Sequence, residues 1–226
     1  MKRHLFLGSV SAFIIPLFHL TRSDLEPMHS WNRAFADLSF IFLLILLFIG
    51  ALERLEKRFK PHSEWKRALG MWSFLLSIPH IIIFLDGWVE WDLRLLFYNY
   101  YPNYNHWAFY HGFGLGNGLG IIALFYGVKL AVISNDFSQR ILGNSAWNYL
   151  QQSTSTFYIL VLIHTAYFLY FHFSTIQRPN PPRSWFNVFF LLSISILFVF
   201  RLYVFWFKVR KDKISNQSQP RNLDGI

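Results

Sequence analysis

The chain contains six apolar stretches, residues 5–20, 35–52, 68–85, 109–133, 157–173 and 185–207. Each is close to the roughly 20 residues that carry a helix across a hydrocarbon core. This pattern restricts the fold more than any other feature, because only helices and closed barrels satisfy their backbone polar groups in lipid. The charge content agrees: 15% of residues are Asp, Glu, Lys or Arg, against about 25% in soluble domains. The expected fold is therefore all-α, a polytopic membrane bundle of about six transmembrane helices. It forms a single membrane domain over residues 1–226, ending in a polar, disordered tail at 208–226.

The first stretch is short, contains Pro16 and follows Lys2 and Arg3, as a signal peptide would. No small-residue cleavage site follows it, so a retained helix is expected. The fifth stretch is expected to begin earlier, near Ala146, with a polar amphipathic segment.

A formal net charge of +9 could suit nucleic acid, but its placement suits a membrane better. With the N-terminus inside, fifteen Lys and Arg fall on cytoplasmic segments and five on outer ones, leaving out Arg201 within the last helix. That bias puts both termini in the cytoplasm and argues against nucleic acid as a partner; lipid is the expected surroundings. The outer loop at 86–110 carries Trp88, Trp91, Tyr98, Tyr100, Tyr101, Tyr104, Trp107 and Tyr110. Such rings suit a belt at the headgroup level, or a docking surface for an outer partner.

The chain has no cysteine. Thiolate iron–sulfur sites and c-type haem attachment are therefore excluded, and a redox cofactor would have to be held by His or by rarer ligands such as Met or Tyr. An ionisable residue inside a span is costly, and so is a functional candidate by default. Two stand out, His80 in the third stretch and His164 in the fifth. Each comes 13 positions after a residue at the cytoplasmic entrance, Arg67 and Gln151 respectively. Both therefore lie about 20 Å above that entrance, at 1.5 Å rise per residue. Imidazoles at matched depth on different helices suit the axial positions of one haem iron. Hydrogen bonding between helices is the alternative for either histidine alone.

His172 comes eight residues after His164, about 12 Å further out by the helical rise, at the outer end of the same stretch, where it could hold a second cofactor, orient a propionate or sit at the interface. His19, His106 and His111 are read as boundary residues, and His4, His29 and His62 as lying outside the helices. No HExxH or similar pair indicates zinc. Gly112, Gly116 and Gly120 form one stripe along the fourth stretch, and Gly114 and Gly118 another. Small residues at this spacing admit either a neighbouring helix or a flat macrocycle.

Residues 33–207 resemble the ferric reductase-like transmembrane domain family. The likeness is closest to the haem-binding membrane subunit of the bacterial periplasmic methionine-sulfoxide reductase system. It rests on Trp65-Lys-Arg-Ala-Leu-Gly70 leading into the helix of His80, on Leu130-Ala-Val-Ile-Ser134, and on Leu142-Gly143. It rests also on Trp147-Asn-Tyr-Leu-Gln151 followed by Tyr158 and His164. The resemblance implies a bundle that binds haem b and passes electrons across the membrane. His80 and His164 would be the axial ligands of the outer haem, and Arg67 could meet a propionate.

The family commonly has histidine where this chain has Gln151. An amide is a poor iron ligand, so one haem is expected. The sequence leaves no room after Phe207 for flavin or nicotinamide domains, so flavin or quinone would act through a separate partner. The expected function is thus an electron-transfer subunit fed by a cytosolic flavin reductase or by quinol, and serving a periplasmic reductase or ferric iron. A quinol-oxidising cytochrome b and a haem-free scaffold or transporter subunit are the alternatives.

Overall fold

The computed structural model describes residues 2–55, 63–172 and 184–218. Seven α-helices follow in order: α1 (Lys2–Leu20), α2 (Pro27–Leu55), α3 (Ser63–Gly87), α4 (His111–Ile133), α5 (Asp136–Gln151), α6 (Thr154–Ala166) and α7 (Trp185–Ser218). A π-helical turn, Tyr167–Phe171, extends α6. Six helical stretches are long and apolar enough to cross a membrane, with α5, α6 and the π turn forming one of them. The protein is an all-α polytopic bundle and an integral membrane protein, as its sequence predicts.

Side-chain contacts orient the helices relative to one another. Near the start of α1, Phe6 packs edge-on against Trp65 near the start of α3. At the other end of α1, the indole of Trp185 at the start of α7 donates to Thr21 Oγ1 at 3.0 Å. The chain thus runs up and down between two ends of the bundle.

The central element is α2. One face joins α1 and α3 in an apolar cluster that includes Leu7, Leu38, Phe42, Leu69 and Leu76. The opposite face joins α6 and α7 through Phe40, Leu43, Leu47, Tyr158, Phe186 and Leu197. Because α1 shares the first cluster, it belongs to the bundle.

The polar stretch expected to lead into the fifth span is a helix of its own, beginning at Asp136 rather than near Ala146. The Asn135 side chain caps it, accepting from Ser138 N at 2.8 Å. Gly143 bends it with φ 72° and ψ 160°, a conformation that essentially only glycine adopts.

The sequence also predicts a disordered tail from residue 208, and here the structure differs. Helix α7 continues to Ser218. Its extension has no Gly or Pro and is rich in Lys and Arg, which sustain a helix. Residues 219–226 of that tail lie outside the described residues.

The aromatic loop between α3 and α4 holds the only β-strands among the described residues. Strands β1 (Tyr98–Tyr101) and β2 (His106–Phe109) pair antiparallel, with Tyr98 opposite Phe109 and Tyr100 opposite Trp107. The buried side chain of Asn117 in α4 donates to Leu96 O at 2.8 Å and fastens this hairpin to the bundle. The hairpin marks the end of the bundle called outer in the sequence reading, and gives the geometry below a fixed reference.

Candidate cofactor site between α3 and α6

His80 follows Pro79 in α3, seven residues before the helix ends at Gly87. Its Nδ1 lies 3.2 Å from the carbonyl oxygen of Asn32 in α2. The Asn32 side chain returns a hydrogen bond to the carbonyl of His80 at 2.8 Å. His164 is in α6, and its Nδ1 lies 2.9 Å from the carbonyl oxygen of Gly116 in α4. Asn32 and Gly116 are both close to the hairpin-end termini of their helices, so the two imidazoles occupy the same, hairpin-side half of the bundle.

A carbonyl oxygen can only accept. Each Nδ1 must therefore carry the proton, and each Nε2 keeps its lone pair. Neither Nε2 is hydrogen-bonded within the described residues. Metal-binding histidines usually have this arrangement, with one ring N–H donated to a carbonyl and the other nitrogen free to ligate. Helices α3 and α6 are not packed side by side among the described residues; each instead packs against α4.

The glycine stripe of α4 faces α6. A Cβ at Gly120 would fall 2.7 Å from His164 Cε1, and one at Gly116 would fall 2.6 Å from the Phe168 ring. Side chains of α6 fill the stripe, so its glycines serve helix packing and the seating of His164. Below the histidines, Phe74 of α3 and Phe157 of α6 converge on Gly127, each 3.2 Å from where its Cβ would be. They form an aromatic floor beneath the pair.

The other predicted residues are placed elsewhere. Arg67 is at the far end of the bundle, where it pairs with Asp136 and donates to Gln139 Oε1 at 2.8 Å. Its guanidinium also lies over the Trp147 ring, 5.4 Å from the centroid. Arg67 therefore ties α3 to α5 and does not join the histidine pair. Gln151 is at the same end, 3.4 Å from Ser134 Oγ.

His172 is buried within the protein, 8% exposed. It packs among Tyr110, Phe113 and Phe168, with ring centroids 6.3, 5.7 and 5.3 Å away. His4 and His29, read as lying outside the helices, are within α1 and α2. His29 stacks on Trp88, and His19 stacks on Trp31 while contacting Ser30 Oγ at 2.7 Å. His62 lies outside the described residues.

Sequence reasoning overlooked two features. Asn32 joins α2 to the His80 turn, and a lone Asn near a helix start gives no sign of that. Asp37 is buried within α2 and forms an ion pair with the equally buried Arg22. The signal for Asp37 was present, since it is a carboxylate inside an apolar run. No group of three or more His, Asp or Glu side chains suited to a bare metal ion occurs among the described residues. The chain matches no family model, no curated protein and no solved structure.

Proposed function

We propose that this chain is a b-type haem subunit of the bacterial inner membrane, similar to the ferric reductase-like transmembrane domains, that relays electrons to an outer acceptor. His80 and His164 would hold the iron through Nε2, and a haem bound there supplies reversible one-electron transfer. The observation that carries this reading is the shared tautomer. Two half-buried imidazoles on separate helices each donate Nδ1–H to a backbone carbonyl and present an unprotonated Nε2. Those bonds also fix the ring orientations and raise the basicity of the ligating nitrogens. One haem per chain is the expected content, because the matching depth on the other side of the bundle offers Gln151 in place of histidine.

Both termini are proposed to face the cytoplasm, by the distribution of Lys and Arg. The natural lack of cysteine makes this directly testable. A single cysteine at Ser9, Tyr104 or Lys211 can be labelled with an impermeant thiol reagent, and only the Tyr104 site should react from outside. The electron donor is proposed to be a separate flavin reductase or quinol, and the acceptor a periplasmic reductase or ferric iron.

The deciding experiment is a reduced-minus-oxidised spectrum of the purified protein after expression with ample haem. A b-type spectrum near one haem per chain, abolished by His80→Ala or His164→Ala alone and kept by His172→Ala, is expected. Full haem in both single variants would overturn the ligand assignment. Adding reduced flavin or quinol to membranes then distinguishes a flavin-fed relay from a quinol-oxidising cytochrome b.

A second reading has support of its own. Both imidazoles already bridge helices, and the glycine stripe is filled by side chains. A haem-free scaffold would use the same bonds for packing, and would be colourless.

A further inference from the structure

At the end of the bundle remote from the hairpin, α2 to α7 surround a cavity of about 1090 Å³. Among the described residues five cations line it, Arg54, Lys66, Arg67, Arg201 and Lys208, and no carboxylate does. Two of them are neutralised from outside the cavity, Lys66 by Glu53 and Arg67 by Asp136. Arg54, Arg201 and Lys208 pair with no carboxylate among the described residues.

Arg201 and Lys208 are seven residues apart on α7 and so lie on one face. Arg54, on α2, lines the same cavity. The attractive partner of Arg201 is the Tyr158 ring, 5.9 Å from the guanidinium carbon. Like charges gathered on membrane-spanning helices repel one another. An anion between them reverses the sign of that interaction.

The shape and surroundings of the cavity narrow the choice of anion. Above the cations the walls are apolar, built from Leu43, Leu47, Phe74, Phe157 and Val204. Among the described residues α5 packs chiefly on α4, and both α5 and α7 line the cavity. We infer that the cavity binds an anionic phospholipid, its phosphate between Arg54, Arg201 and Lys208 and an acyl chain against the apolar walls. Guanidinium forks match phosphate oxygens two at a time, and basic pockets between membrane helices are established sites for anionic headgroups. The inference rests on charge and shape alone and is independent of haem at His80 and His164.

Native mass spectrometry of the full chain tests it, using detergent micelles doped with phosphatidylglycerol or phosphatidylcholine. One retained phosphatidylglycerol per chain is expected, preferred over phosphatidylcholine by at least about tenfold. The R54Q/R201Q double variant should lose that preference. Lys208→Gln, further along α7, should weaken it by a smaller factor and serves if the double variant does not fold. Arg210→Gln, whose guanidinium lies over Trp206 rather than lining the cavity, should retain it. Equal retention of both lipids would overturn the inference. So would full retention in R54Q/R201Q or Lys208→Gln, displacement by excess inorganic phosphate alone, or a haem occupying the cavity in place of lipid.

Discussion

The imidazole of His164 rests directly on Gly120, so closely that a methyl group there would sit 2.7 Å from Cε1 and 3.0 Å from Nδ1. The glycine is thus what lets α6 bring its histidine against α4, within reach of the Gly116 carbonyl. Overfilling such a contact costs about 1–3 kcal/mol.

Gly120→Ala should therefore displace the ring, lower haem retention sharply and reduce the thermal unfolding midpoint. Gly118→Ala provides the contrast. Its new Cβ would meet nothing closer than Phe97 at 3.9 Å, and both readouts should stay near those of the parent. Equal haem loss in the two variants would show that the stripe acts on packing in general and not on His164.

Arg22 and Asp37 form a buried pair, their side chains 4% and 9% exposed. Removing one partner strands the other, which in buried pairs costs about 3–5 kcal/mol. Asp37→Ala should lower the unfolding midpoint strongly, whereas Arg22→Met combined with Asp37→Leu should recover most of the loss. Thermal unfolding in detergent reads both. A double variant as unstable as the single one would mean the pair is not the source of the effect.

Gly143 has no atom within 4 Å of where a Cβ would be. A substitution there meets no steric obstacle, only the backbone penalty of φ 72°, of order 1–3 kcal/mol. Gly143→Ala should destabilise α5 by about that amount and loosen the Trp147 indole from the Ile133 carbonyl, which it now reaches at 2.9 Å. A red shift of Trp147 emission, isolated by comparison with a Trp147→Phe background, is the expected signature.

The loop before the hairpin has a local pH dependence. Hydrogen bonds from the Arg94 side chain and backbone hold the Asp92 carboxyl below its ordinary value. A depressed carboxyl contributes stability above its unfolded value, about 3.9, and loses it as pH falls through the lower folded value. Amide exchange at Arg94, whose N–H donates to Asp92 Oδ1 at 3.0 Å, should therefore accelerate only below about pH 4. In Asp92→Asn this acid-dependent step should vanish. A step persisting in the variant would assign it to another group.

The amino-acid sequence by itself determined the class of fold. Runs such as Phe40–Phe48 and Phe189–Phe200 carry too little polarity to be anything but helix in hydrocarbon, whatever surrounds them. It also picked out His80 and His164, because an ionisable group in such a run is conspicuous and helical rise fixes its depth. The partners of those groups were decided by the tertiary structure. Whether Gly116 lay beneath a ring or beside a macrocycle depended on which face of α4 met α6, and an all-apolar helix has no polar side to reveal its facing. The same holds for Arg22 with Asp37, for Asn32 with His80, and for the three cations gathered at the far end. Each pairing joins residues distant in sequence, and hydrophobic periodicity carries no information about which helices become neighbours.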